Sequence, residues 1–267
     1  MRFSVFLIFF FIIVSCANER NGNSRQTQTS ERIALDTLKY SYHTKKETSP
    51  YFIGDSTGMD TAFYKITYPI FEHAAMNEAI KESIFIEREN NADEAARSFL
   101  DAFDEFVEES STVYVHSVWY KESKSNVILN TPLFLTLQTS VNEYTGGAHG
   151  NHLTFFSVFD LDLFKKMELT DLVATGKMKD LSSIAEKYFR RQENLSDTSK
   201  LSKDFFFEDG IFALNDNFGL TKDKLIIYYN EYEIRPYAEG ITKIELPYNE
   251  VQDILNVRAK RYIKSIQ

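Results

Sequence analysis

The hydrophobic pattern is clearest in the middle of the chain. Leu133, Leu135, Leu137, Thr139 and Val141 recur at every second position, and so do Leu153, Phe155, Ser157, Phe159 and Leu161. A period of two places each set on one face of a strand. Between them lies Tyr144-Thr145-Gly146-Gly147-Ala148-His149-Gly150-Asn151-His152, with three glycines in five residues. Glycine supplies the positive φ values of a tight reversal. The spacing predicts two long strands joined by a glycine-bent connection that carries histidine and asparagine.

Elsewhere the periods alternate between strand and helix. Ile33 to Lys45 reads as a first strand, with Leu38, Tyr40 and Tyr42 on one face, and Phe63 to Tyr68 as a second, ended by Pro69. Helical spacing follows from His73 to Arg88, through Met76, Ala79, Ile80, Ser83 and Ile84. A second helix runs from Ala92 to Glu108, with Asn91 as N-cap and Ala96, Phe99, Phe103, Phe106 and Val107 as its apolar stripe. Asp93, Asp101, Asp104, Glu105 and Glu108 lie on its outer face, read as a solvated acidic surface.

Thr112 to Tyr120 is a predicted strand, Lys121 to Asn126 a polar turn, and Val127 to Asn142 a long strand broken or bulged at Pro132. A turn is expected from Asp160 to Lys166 and a helix from Met178 to Gln192. Strands at Ile211–Leu214 and Lys224–Asn230 flank the turn-like Asn215-Asp216-Asn217. Ile241 to Leu246 is a strand stopped by Pro247, and Tyr248 to Ile266 a final helix. Strands come in runs and do not alternate with helices, so the class is α+β, with antiparallel sheets packed against helices. The pattern suggests two related α+β sub-domains, 36–150 and 151–267.

The N-terminus changes the picture. Arg2 precedes an apolar run from Phe3 to Val14. That is shorter than the roughly 18–20 residues of a membrane-spanning helix and fits a secretory signal. Ile13-Val14-Ser15-Cys16 resembles the lipobox of bacterial lipoproteins, and Cys16 is the only cysteine. The resemblance implies a signal peptide at 1–15 and an acylated Cys16, held in the lipid bilayer as the mature N-terminus. Polar residues 16–35 then form a flexible tether. The expected location is exported and lipid-anchored to a bacterial membrane, inner or outer, facing periplasm or exterior. Net charge is −9, and loss of the signal removes only Arg2, giving −10. Such a chain is a poor nucleic-acid binder and attracts cationic partners.

Candidate chemistry is sparse. His149 and His152 are three apart, but in a glycine loop without a cysteine or carboxylate, so a structural imidazole is expected rather than a metal ligand. No nucleophile elbow, zinc-protease helix motif or phosphate loop is present. No catalytic residue, cofactor or metal is assigned. The aromatic cluster Tyr228, Tyr229, Tyr232, Pro236 and Tyr237, followed by Gly240, is more distinctive. Tyrosines there serve either as contact residues for sugar or protein or as core residues tied by their hydroxyls.

Tyr144 to Asn151, with Gly146, Gly147 and His149, resembles the signature of the extracellular domain of the lysozyme-sensing anti-sigma-V regulator family. The same region is similar to the non-catalytic N-terminal part of peptidoglycan deacetylase C. Leu225 to Gly240, with Tyr228, Tyr232, Pro236 and Tyr237, followed by Ile244 to Tyr248, resembles the second signature of that family. The likeness runs from about Tyr64 to Leu255. Arg235 stands where the family usually has alanine, and Leu163-Phe164 where it usually has Thr-Gly, which predicts a longer or apolar hairpin tip. No deacetylase catalytic domain, sigma-binding segment or transmembrane helix accompanies the signatures. The resemblance implies a non-enzymatic envelope recognition module, binding a lysozyme-type protein or peptidoglycan. The alternative is an envelope hydrolase acting on wall glycan or peptide, with His149 working beside carboxylates.

Overall fold

A computed structural model describes residues 37–55, 58–110 and 118–266. The expected signal peptide, Cys16, the tether and most of the strand expected from Thr112 lie outside the described residues. In chain order the elements are β1 (Tyr40–Asp55), β2 (Gly58–Phe71), α1 (Ala74–Ile84), α2 (Ala92–Glu109), β3 (Tyr120–Asn130), β4 (Phe134–Tyr144), β5 (Asn151–Asp160) and β6 (Lys165–Lys166). Then follow α3 (Met178–Gln192), β7 (Phe218–Leu220), β8 (Lys224–Tyr229), β9 (Thr242–Pro247), α4 (Tyr248–Val251) and α5 (Val257–Ile266). Strands β1 to β6 form one sheet in sequence order, and β7 to β9 a second. The class is α+β, as the pattern predicts.

One pair departs from the antiparallel expectation. β2 and β3 run parallel, because the chain crosses over through α1 and α2 between them. The sub-domain boundary at 150/151 also meets an obstacle: β4 and β5, on either side of it, are hydrogen-bonded partners from Glu143–Asn151 to Phe134–Asp160. The hairpin straddles the boundary.

The polar segment Lys121–Asn126, expected as a turn, is the first half of β3. Two of its three inward side chains, Lys121 and Ser125, find partners, which makes a polar strand tolerable, while the Ser123 hydroxyl is buried without one among the described residues. Ser125 and Thr139 hydroxyls lie 2.8 Å apart, and Thr139 donates to the Ser83 carbonyl at 2.7 Å. Lys121 is buried between Glu87 and Glu143. Burial pulls its ammonium pKa down, yet the bonds to the two carboxylates outweigh this and hold it above the ordinary value. The break expected at Pro132 is real but is a full reversal: Thr131 closes the β3–β4 turn by accepting from Phe134 N and donating to Phe134 O. β2 continues through Pro69 to Phe71, since its pairing with β3 ends at Thr67 and one side is then unpaired.

The acidic face of α2 is partly engaged. Asn91 caps the helix by accepting from Glu94 N at 2.9 Å. Lys45 reaches Asp93 at 2.5 Å, Ser49 donates to Asp104 at 2.5 Å, and Tyr51 donates to Glu108. These contacts tie β1 to the helix. Asp101 and Glu105 are exposed, as expected.

Two cores share the large sheet. Leu135, Leu137 and Phe159 face α1 and α2, with Ile66, Met76, Ile80 and Phe103. Their neighbours Phe134 and Val158 point the other way, into a core with Leu181, Phe189, Ile227, Leu246 and Tyr262. The alternation of β4 and β5 therefore feeds both cores. In the second half, Ile211–Leu214 is irregular and β7 starts only at Phe218. The final helix is split: Leu255 bridges Val173, and Asn256 N donates to Leu172 O, pulling the backbone out of helix between α4 and α5.

The two sheets meet at an edge. β6 pairs only with Phe159 and Asp160, leaving the rest of that side of β5 without a strand. Asparagine side chains take its place. Asn217 accepts from Phe156 N at 2.7 Å and donates to Thr154 O at 2.8 Å. Asn230 accepts from Thr154 N at 2.7 Å and donates to the same carbonyl at 3.2 Å. Asn217 is itself placed by β8, since Tyr228 N donates to its carbonyl at 2.8 Å.

Asn217→Leu keeps the size and removes both bonds. Loss of about 2–3 kcal/mol of stability is expected in urea unfolding, from unpaired backbone groups at about 1–3 kcal/mol each. A change within about 0.5 kcal/mol would show that the asparagine carries little.

The second core should also make the protein sensitive to alkali. Tyr248 and Tyr262 both donate to Thr221 O at 2.7 Å, and Tyr229 to Ala213 O at 2.7 Å. Burial raises all three phenols, that of Tyr262 to about 12 against an ordinary 10.0. The unfolded chain sheds these protons first, so their contribution is full below pH 10.0 and lost as pH rises through about 12. Urea midpoints at pH 9, 10 and 11 should fall steeply above 10; a flat profile contradicts this.

Candidate functional site

The β4–β5 connection, residues 145–150, is built on glycine backbone. Gly146 and Gly147 have φ of 101° and 96°, which L side chains rarely adopt. Tyr144 donates its hydroxyl to Gly147 O at 3.0 Å, pinning the loop to its own strand. At Gly150 the reason is space, because an added Cβ would lie 2.9 Å from Glu143 O.

Facing this loop is the segment after β8. Asn230 N donates to the Glu233 carboxylate at 2.8 Å, and Glu233 N to Asn230 O at 3.2 Å. The turn sets Tyr232 at φ 64°, a left-handed conformation uncommon for a bulky residue. A single 3-10 turn, Tyr237–Glu239, follows Pro236 and ends at Gly240, with φ 71° and ψ −156°. That region of conformational space is essentially glycine's alone.

The two segments meet in an aromatic cluster. The His149 ring stacks on Tyr237 with centroids 3.9 Å apart and planes at 13°. Its Nδ1 is 3.0 Å from Gly150 O, which only accepts, so Nδ1 donates there. In the neutral ring Nε2 then accepts, and the Tyr232 hydroxyl, 3.3 Å away, donates to it. Tyr232 and Tyr237 are 5.5 Å apart. His149 and Tyr232 are exposed, Tyr237 half-buried. The arrangement can present flat aromatic surface with a polar rim; the imidazole meets a carbonyl, a tyrosine hydroxyl and a stacked tyrosine ring.

Tyr144, Gly146, Gly147, His149, Tyr232, Pro236, Tyr237 and Gly240 thus fall in the two segments that meet. Asn151 opens β5 opposite Glu143, exposed. The tyrosine cluster expected as one unit splits. Tyr229 is buried in the second core, and Tyr228 packs half-buried against Phe156 with centroids 5.7 Å apart. Strand alternation sends these neighbours to opposite faces, and only the tyrosines beyond the strand are free to meet His149. His152 bonds Asn142 through Nδ1 at 2.9 Å and does not join His149. Among the described residues no group of three His, Cys, Asp or Glu is arranged to hold a metal, and no helix is long and apolar enough to cross a membrane.

Asn217 and Asn230, which align the two segments, were not legible as site residues; their only signal is an Asn-rich spacing ordinarily read as a turn. Arg235 is also structural in part: its guanidinium donates to Glu193 at 3.1 Å and to Ile241 O at 2.7 Å. It lines a cleft of about 530 Å3 with Lys203, Asp204, Pro236 and Glu239, which His149 and the two tyrosines do not enter.

Comparison with known proteins follows the same division. Residues 57–152 match the family described as Deacetylase PdaC. Residues 162–249 match the protein of unknown function family DUF3298. The chain matches two families, each over less than half its length. The loop of His149 lies in the first match and Tyr232 and Tyr237 in the second, so the cluster is assembled across both. Among solved structures, a DUF3298 member from Bacteroides fragilis shares the fold with a TM-score of 0.66 at 22% identity, over 86% of this chain and 97% of that one. A DUF3298 protein from Pseudomonas aeruginosa gives 0.62 at 17% identity, over 84% and 97%. No curated protein matches the chain. The likeness to peptidoglycan deacetylase C is thereby matched at family level, and the apolar hairpin tip is seen in Leu163, 71% exposed, and Phe164, stacked on His73 at 4.2 Å.

Backbone strain gives a test of what Tyr232 is for. Tyr232→Gly should relieve a left-handed conformation worth about 1 kcal/mol and leave thermal stability unchanged or raised. Gly240→Ala should cost about 1–3 kcal/mol. If Tyr232→Gly melts well below the parent while Gly240→Ala does not, the tyrosine is a structural prop and the strain assignment is wrong.

Proposed function

We propose that this protein is a non-enzymatic recognition module of the cell envelope, held to a bacterial membrane through acylated Cys16. Its binding face is the His149–Tyr232–Tyr237 cluster, and its partner is a lysozyme-type protein, with peptidoglycan as the other candidate. One observation carries the reading. His149 is engaged by a backbone carbonyl, a tyrosine hydroxyl and a stacked ring, on an exposed surface, rather than aligned by a carboxylate in a pocket. A general base needs an orienting group and a reachable proton; a contact surface needs rigid aromatic area. The resemblance of both signatures to the lysozyme-sensing family supplies the partner class. The net charge of −9 supports it, since a cationic enzyme would be steered toward the chain.

The expected result is direct binding of a lysozyme to the purified chain, weakened by salt and lost at least tenfold in both His149→Ala and Tyr232→Ala. Both variants should melt close to the parent, and Cys16→Ser should move the protein from membrane to soluble fraction. Turnover of peptidoglycan or chitin oligomers that disappears only in His149→Ala would replace this reading with the hydrolase.

A further inference from the structure

The large sheet has a second, open face. The register brings Lys46, Lys65, Glu122, Asn142 and His152 into one row across β1 to β5. Beside it runs a row of Thr44, Thr67, Lys124, Ser140 and Thr154. On the other flank stand Phe63, Tyr120 and Tyr144, whose rings follow one another at 5.8 Å and 6.1 Å, with planes at 15° and 27°. These are the side chains that alternate away from α1 and α2, so helix packing does not account for them. Lys65, Glu122, Lys124, Asn126, Ser140 and Asn142 border a hollow of about 230 Å3.

The charge of this face runs against that of the molecule. In a chain of net charge −9 it carries Lys46, Lys65 and Lys124 against the single acid Glu122. Glu122 is taken by Lys65 at 3.0 Å. Among the described residues, Lys46 and Lys124 have no carboxylate partner; Lys46 lies over the Phe63 ring at 4.9 Å, and Lys124 is exposed. Two cations without a carboxylate partner therefore stand among hydroxyls, amides and aromatic faces.

We propose that this face binds a linear glycan that bears carboxylates, laid across the strands. Resting on the reading of the chain as an envelope recognition module, the proposal gives it a second ligand at a different face. Amides and hydroxyls in rows suit sugar hydroxyls, ring faces suit the apolar faces of sugars, and the unpaired lysines suit carboxylates. At about 4.8 Å per strand, the row from β1 to β5 spans roughly 19 Å, enough for an extended oligosaccharide. A protein partner would call for an apolar centre, which the rows lack. A polynucleotide would call for many more cations than the face holds.

The test is titration of the full-length chain with oligogalacturonate, uncrosslinked peptidoglycan strands, chitohexaose as the neutral control, and a single-stranded oligodeoxynucleotide. Both acidic glycans should bind, chitohexaose at least tenfold more weakly, and added salt should weaken the acidic ones. Lys46→Gln and Lys124→Gln, on the surface, should each weaken binding about three- to tenfold, and Tyr120→Ala by tenfold or more with rescue by Tyr120→Phe. Tyr232→Ala should leave oligogalacturonate binding intact while weakening lysozyme binding at least tenfold, so the two readings fail separately. Equal affinity for chitohexaose, tighter binding of the oligonucleotide, no effect of either lysine variant, or no binding by the acidic glycans at millimolar concentration would each overturn the proposal.

Discussion

Two asparagine side chains hold this protein's halves in register. On the side away from β4, β5 has a strand partner among the described residues only at Phe159 and Asp160, and Asn217 and Asn230 complete its hydrogen bonding at Thr154 and Phe156. A carboxamide offers one acceptor and two donors, so it mimics a strand's backbone without committing the chain to another strand. The arrangement fixes where β8 ends relative to the β4–β5 loop. The aromatic cluster follows from that alignment: the stacking of His149 on Tyr237 and the hydroxyl of Tyr232 on the imidazole.

The same constraint explains why neither half reads as a closed unit. Phe134 and Val158 enter the second core while Leu135, Leu137 and Phe159 enter the first. A strand pair that feeds two cores is buried on both faces at one end, and only its other end can leave a face open. That open end is where polar rows and stacked aromatics gather. The open sheet face therefore lies where the sheet is needed for one core but not for both.

Long apolar periods were legible in the sequence. α2, α3 and the β4–β5 hairpin lie within a few residues of where periodicity puts them, and the glycine loop has the positive φ values its composition implies. What failed was polar structure. Lys121 to Asn126 looks like a turn because strand periodicity is read from apolar residues, and here the inward positions are Lys121, Ser123 and Ser125. The partners of Lys121 and Ser125, namely Glu87, Glu143 and Thr139, are distant in sequence and invisible to a local pattern. Asn215-Asp216-Asn217 is the bend its composition suggests, but the bonds of Asn217 to β5 are distant in sequence and equally invisible. Of the site, the residues that touch were legible, because glycine and tyrosine spacing is distinctive; the asparagines that align them were not.

Hydrogen exchange at individual amides addresses the alignment most directly. If Asn217 and Asn230 bind the halves into one cooperative structure, the amides of Thr154 and Phe156 should exchange only with global unfolding, as slowly as those of Leu137 and Ile227. Exchange of Thr154 and Phe156 many times faster, with both sheets still protected, would mean that the halves separate independently and that the aromatic face is not held by the two asparagines.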